Sequence, residues 1–111
     1  MKNKFITTDF IAELRFLTTE EGGRKNSVTS GYRPHIEFER NPNYITSGQQ
    51  TYLGQDTVAP GEIVLAEISI LSKDYFANRL YENMKFEFYE GKHIIGSGKV
   101  LEIVNVSLKM K

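Results

Sequence analysis

The stretch from Phe10 to Phe38, FIAELRFLTTEEGGRKNSVTSGYRPHIEF, decides the fold. Its first seven residues alternate. Phe10, Ala12, Leu14 and Phe16 fall on one face and Glu13 and Arg15 on the other, which is the period of a half-buried β-strand. Glu21-Gly22-Gly23 follows, and glycine takes positive φ at little steric cost, so the chain turns there. Gly31-Tyr32-Arg33-Pro34 then leads into an extended segment, because a residue before proline is biased away from helical geometry.

The same alternation recurs along the chain. Val64, Ala66, Ile68 and Ile70 share a phase, with Ile63 and Leu65 adding apolar residues on the second face. Phe86 and Phe88 alternate with Lys85, Glu87 and Tyr89, and Val100, Val104, Val106 and Leu108 share a further phase. Turn signals separate these runs: Glu90-Gly91-Lys92, and Pro60-Gly61, which suits the centre of a type II turn, while the further signals Asn41-Pro42-Asn43 and Ser47-Gly48 mark the ends of a looser, polar middle section. Gly96-Ser97-Gly98 inside an apolar run predicts a bulge or sharp bend. Ser72 caps a predicted short helix over 73–82, with Phe76 and Leu80 on one face. Many short strands with regular punctuation indicate an all-β sandwich or barrel, and closing a barrel removes unpaired edges.

At 111 residues the chain fits a single domain over 1–111, with 1–9 as lead-in and 72–83 as a helical insertion. Fourteen basic side chains balance fourteen acidic ones, so any nucleic-acid contact requires a local patch. The absence of cysteine excludes a disulfide framework, a thiolate zinc site and a cysteine nucleophile. No apolar run approaches membrane-spanning length, and no secretory leader is evident, so a cytoplasmic protein is expected.

Three motifs in order resemble the third, C-terminal domain of elongation factor Tu. The first is the opening stretch itself. The second is Val58-Ala59-Pro60-Gly61-Glu62, similar to that family's Pro-Gly-Asp turn. The third is Tyr89-Glu90-Gly91-Lys92-His93-Ile94-Ile95-Gly96-Ser97-Gly98-Lys99-Val100, similar to Arg-Glu-Gly-Gly-Arg-Thr-Val-Gly-Ala-Gly-Val-Val. The resemblance implies a six-stranded antiparallel closed β-barrel. In that family this domain holds the T stem of aminoacyl-tRNA and contacts the GTPase domain and the nucleotide-exchange factor. The positions carried over are Arg24 and Lys25, His35, and Glu90 and Gly91. Lys25 stands where the family usually has His, His35 where it has Gln, and Lys92-His93 where it has Gly-Arg. No phosphate-binding loop of the GxxxxGK[ST] type is present, so GTP hydrolysis by the family's route is not expected of this chain.

The candidate binding residues are therefore Arg24, Lys25, Arg33, His35, Glu90, Gly91, Lys92 and His93. If they converge, they form a basic patch giving salt-sensitive, sequence-independent contact with phosphates. The competing reading leaves them as solvated loop residues whose charge is cancelled by Glu20, Glu21, Glu37, Glu39 and Glu90. Arg33, between an aromatic and a proline, equally suits internal stacking or pairing, and the glycines suit backbone geometry rather than ligand cradles. His35 and His93 match no metal-ligand spacing, and no nucleophile elbow accompanies them, so no metal, cofactor or catalytic residue is expected.

The expected function is a non-catalytic binding module. Its partner is either tRNA, bound weakly, or a protein partner of elongation factor Tu, with neither membrane nor DNA implied. The alternative is a protein-interaction mimic of the factor's barrel that engages a toxin, regulator or immunity-type partner. Tyr44, Tyr52, Tyr75 and Tyr81 lie in segments that diverge from the family and, where exposed, suit such an interface.

Overall fold

The structure is a computed structural model that describes residues 7–41 and 44–111. Residues 1–6 of the expected lead-in, and Pro42-Asn43 of one turn signal, lie outside the described residues. The strands are β1 (Phe10–Phe16), β2 (Val28–Thr29), β3 (His35–Phe38), β4 (Ile45–Tyr52), β5 (Thr57–Val58), β6 (Ile63–Ile70), β7 (Lys85–Glu90) and β8 (His93–Ile103). Six of them close into an antiparallel barrel in the order β1-β6-β4-β3-β7-β8, and β2 and β5 form a separate two-stranded ribbon. The barrel expected from the alternation and the family motifs is the one observed.

The alternating apolar residues fill the barrel. Phe10, Ala12, Leu14, Ile36, Phe38, Ala66, Ile68, Ile70 and Phe88 have no exposed surface. The rings interlock edge-on: Phe10 lies 6.0 Å from Phe38 and 5.8 Å from Phe86, and Phe16 lies 5.1 Å from Phe88. Such edge-to-face pairs add to the stabilisation from burial. Ile63 and Leu65, on the second face of β6, point outward and are exposed. Tyr52 is a core residue rather than a surface one, with its hydroxyl donated to Gln50 at 2.7 Å.

The glycines of β8 have a packing reason. Phe86 pairs with Gly98 and Phe88 with Gly96, and a Cβ would lie 2.2 Å from the Phe86 ring at Gly98 and 2.5 Å from the Phe88 ring at Gly96, well inside van der Waals contact. The expected bulge is beside them: the β7–β8 register slips between Phe88 and Tyr89, leaving Ile95 unpaired next to Gly96. Ala59-Pro60-Gly61-Glu62 forms the expected turn, closed by Glu62 N to Ala59 O at 3.2 Å with Gly61 at φ 87°.

The helix predicted over 73–82 is not formed; the segment is a chain of turns. Only its first turn begins helically, with Phe76 N on Ser72 O. Asn78 then adopts φ 62° and Asn83 φ 73°, conformations that end a right-handed helix. The freed backbone groups bond across the molecule, Asn78 N to Ser107 O and Leu80 N to Leu108 O. Tertiary hydrogen bonds here replace the local i to i+4 ladder. Phe76 and Leu80 are buried all the same. The strand phase expected to run through Val106 also stops early: β8 ends at Ile103, Val104 and Val106 are exposed, and Val106–Leu108 forms a 3₁₀ turn.

Because every strand runs antiparallel to its neighbours, the connections gather at two poles. Segments 17–34, 53–62 and the β7–β8 hairpin lie at one. Segments 39–41, 71–84 and 104–111 lie at the other. All eight candidate residues lie at or next to the first.

Candidate nucleic-acid interface

The glycine turn is built by its own hydrogen bonds. Gly23 N and Glu21 N both donate to Thr18 O, and Gly22 N donates to Thr19 O. Glu21 Oε1 accepts from Thr18 N at 2.9 Å while its other oxygen takes Arg15 at 3.0 Å. The Thr18 backbone bond, then the Arg15 hydrogen bond, hold the Glu21 carboxyl below its ordinary range. Gly22 takes φ 96°, and a Cβ on Gly23 would lie 2.5 Å from Leu17 O. This turn therefore requires glycine at both positions.

The β7–β8 hairpin docks on this turn. It has a two-residue loop, Gly91-Lys92, with Gly91 at φ 59°. The His93 ring donates from Nε2 to Gly22 O, which assigns the proton to that nitrogen because a carbonyl can only accept. Arg24 pairs through Nη1 with Glu90 Oε2, and its Nε donates to Asn26 O at 3.2 Å. Tyr32 completes the group: its hydroxyl donates to Glu90 Oε2 at 2.5 Å, and its ring lies 5.6 Å beneath the Arg24 guanidinium. Burial alone would raise the Glu90 pKa. The Tyr32 and Arg24 hydrogen bonds, with the Arg24 and His93 charges, outweigh it and hold the carboxyl below its ordinary value. Burial, then the Glu90 contact, pushes the Tyr32 phenol far upward, so it stays a donor.

Between turn and hairpin lies a cleft of about 320 Å³ lined by Gly23, Arg24, Lys25, Asn26, Glu90, His93 and Ile95. The structure thus brings Arg24, Lys25, Glu90 and His93 around one opening, with Gly91 and Lys92 in the adjoining hairpin loop. Lys25 and Lys92 are exposed and have no ion-pair partner among the described residues.

The other two candidates lie to one side. Arg33 is exposed and donates from Nε to Gln49 Oε1 at 3.0 Å. His35 is exposed on the outer wall, in register with Tyr89 on β7. Glu37 and Glu87 are the next facing pair on that wall, so His35 stands beside carboxylates rather than within the basic cleft. Tyr32 was missed as a site residue. Its place in Gly31-Tyr32-Arg33-Pro34, one step before an extended segment, was the available signal.

A larger concavity, about 630 Å³, lies elsewhere, on the wall made by β1, β8, β7 and β3. Phe38 and Phe86 form its floor, and Glu13, Glu37, Glu39 and Glu87 are interspersed with Arg15, Lys85 and Lys99 around it. It includes none of the eight candidates and no unbalanced basic surface. Among the described residues no group of three or more His, Asp or Glu is placed to hold a metal ion, and no helix is long and apolar enough to cross a membrane.

The barrel, the glycine turn and the Glu-Gly hairpin agree with the comparison to known proteins. Residues 5–104 match the family described as elongation factor Tu C-terminal domain. The chain belongs to that family. It is also 37% identical, over 99 residues, to the apicoplast elongation factor Tu of Plasmodium falciparum (isolate 3D7). That alignment covers 86% of this chain but 23% of the relative, so the chain spans about a quarter of that protein's length.

Proposed function

We propose that the barrel is a non-catalytic binding module whose glycine-turn pole contacts the phosphate backbone of a tRNA stem. The observation that carries this reading is the cleft where Arg24, Lys25 and His93 meet, flanked by Lys92, with both lysines free of carboxylate partners among the described residues. The chain is neutral overall, so binding depends on this local set of cations. Duplex RNA offers phosphates and 2′-hydroxyls at fixed spacing, which suits shape-based recognition. Arg24 is already paired with Glu90 and seated on Tyr32, so Lys25 and Lys92 supply most of the uncompensated charge.

The test is tRNA binding by fluorescence anisotropy across a salt series. Weak binding that falls steeply with salt is expected. Lys25→Glu combined with Lys92→Glu reduces affinity and lowers the log–log salt slope by about 2, roughly one for each lost phosphate contact. No tRNA binding at low salt, or binding insensitive to this double variant, refutes the reading.

A further inference from the structure

The opposite pole carries a second recognition surface built from stacked rings. Tyr44 and Tyr75 are parallel within 2° at 3.6 Å, and the Arg79 guanidinium sits 4.5 Å from the Tyr75 centroid. A ring has two faces: Tyr44 and Arg79 both lie against Tyr75, and among the described residues no second parallel ring and no cation lies over Tyr44. Tyr44 is 37% exposed, with Ile45 and Leu71 exposed nearby. Phe76 braces the ladder edge-on against both tyrosines.

A recess of about 390 Å³ opens here, lined by Tyr44, Leu71, Ser72, Lys73, Asp74 and Tyr75. Its two charges are not equivalent. Lys73 Nζ is fully engaged with Asp9 Oδ2, Ile70 O and Ser69 Oγ. The exposed Asp74 carboxylate has no hydrogen-bond or ion-pair partner among the described residues. The recess thus presents an open tyrosine, an aliphatic neighbour and one uncompensated negative charge.

The molecule itself shows what fits such a place. At Tyr81, the Arg40 guanidinium lies 5.2 Å over the ring while Glu39 accepts the phenol hydroxyl. At Tyr32, Arg24 lies over the ring while Glu90 accepts the hydroxyl. Tyr44 and Asp74 likewise place a tyrosine ring and a carboxylate in one recess, although Asp74 does not accept the Tyr44 hydroxyl and no guanidinium of the described residues lies over Tyr44. We infer that this recess is a docking site for an arginine side chain presented by a protein partner. The guanidinium would stack on Tyr44 and pair with Asp74, combining cation–π attraction with a charge-assisted hydrogen bond. A nucleic-acid strand is disfavoured because Asp74 repels its phosphates.

The surface lies at the pole away from the basic cleft, so its test is independent of the tRNA reading. Acetyl-Gly-Arg-Gly-amide is titrated into the full chain and followed by two-dimensional NMR. Saturable shifts centred on Tyr44, Asp74 and Tyr75 are expected. Replacing the peptide's arginine with citrulline abolishes them, Asp74→Asn weakens binding about tenfold, Tyr44→Leu weakens it comparably, and Lys25→Glu has no effect. Absence of saturable shifts overturns the inference, as does an equal response to citrulline or an unaffected Asp74→Asn variant. Saturation of the same residues by oligouridylate instead of the peptide would identify a nucleic-acid site and overturn it too. So would sedimentation showing the recess covered by a second copy of the chain.

Discussion

Lys73→Met should destabilise the barrel by about 2–3 kcal/mol, because it breaks an ion pair that ties three segments together. Asp9 is fully buried, and its carboxylate accepts Lys73 Nζ at 2.6 Å, Ile70 N at 2.8 Å and Asn105 Nδ2 at 2.9 Å. Its backbone carbonyl also receives Val104 N and Asn105 N. Asp9 therefore joins the entry to β1, the exit from β6 and the segment after β8. Removing one member of a buried pair costs about 3–5 kcal/mol, since the other charge is left uncompensated. The Lys73 side chain is 28% exposed, so water partly replaces it, and the figure is reduced to about 2–3. At roughly 4 °C per kcal/mol for a domain of this size, the melting midpoint falls by about 8–12 °C. Urea unfolding followed by circular dichroism, on Lys73→Met, Asp9→Asn and the double variant, measures the effect. The double variant should lose less than the sum of the singles, with a coupling of about 1–3 kcal/mol. A Lys73→Met cost below about 0.5 kcal/mol, the range of an exposed pair, or strict additivity, refutes the reasoning.

Other perturbations follow from the same geometry. Gly98→Ala drives a Cβ to 2.2 Å from the Phe86 ring and should cost about 1–3 kcal/mol, whereas Gly91→Ala meets no atom within 4 Å and should cost only the roughly 1–2 kcal/mol of its positive φ; chemical denaturation separates them. Asn78→Ala should destabilise by about 1 kcal/mol because φ 62° disfavours alanine, while a helix at 73–82 would make the same change stabilising. Burial, then the Glu87 hydrogen bond, pushes the Tyr89 phenol up to about 12, so spectrophotometric titration should show a late phenol lost in Tyr89→Phe. Since that folded value exceeds the ordinary 10.0, the unfolded chain releases its proton first, and Tyr89's contribution to stability falls as pH rises from about 10 toward 12. Glu90 runs the other way: its lowered folded pKa gives stability present above the usual 4.5 and lost as pH falls through the lowered value, and Glu90→Gln should flatten that acid limb.

Strand phase was legible because a two-residue period needs only local information. Phe10 to Phe16 and Val64 to Ile70 therefore mapped directly onto the core faces of β1 and β6. Glycine turns were equally local, since positive φ is a property of single residues, as at Gly22, Gly61 and Gly91. The segment 73–82 misled because its apolar spacing is as compatible with successive turns as with a helix. Its hydrogen-bond partners, Ser107 and Leu108, lie some thirty residues away in sequence.

Alternation and turn punctuation by themselves indicated an all-β sandwich or barrel, and the three motifs, through their resemblance to the family, indicated the closed six-stranded barrel. Tertiary structure alone decided which charges remain available for binding. Arg24 is matched by Glu90 and Lys73 by Asp9, pairs separated by dozens of residues, while Lys25, Lys92 and Asp74 have no ion-pair partner among the described residues. Charge compensation depends on distance in space, and barrel closure sets that distance by bringing chain-distant loops to a common pole.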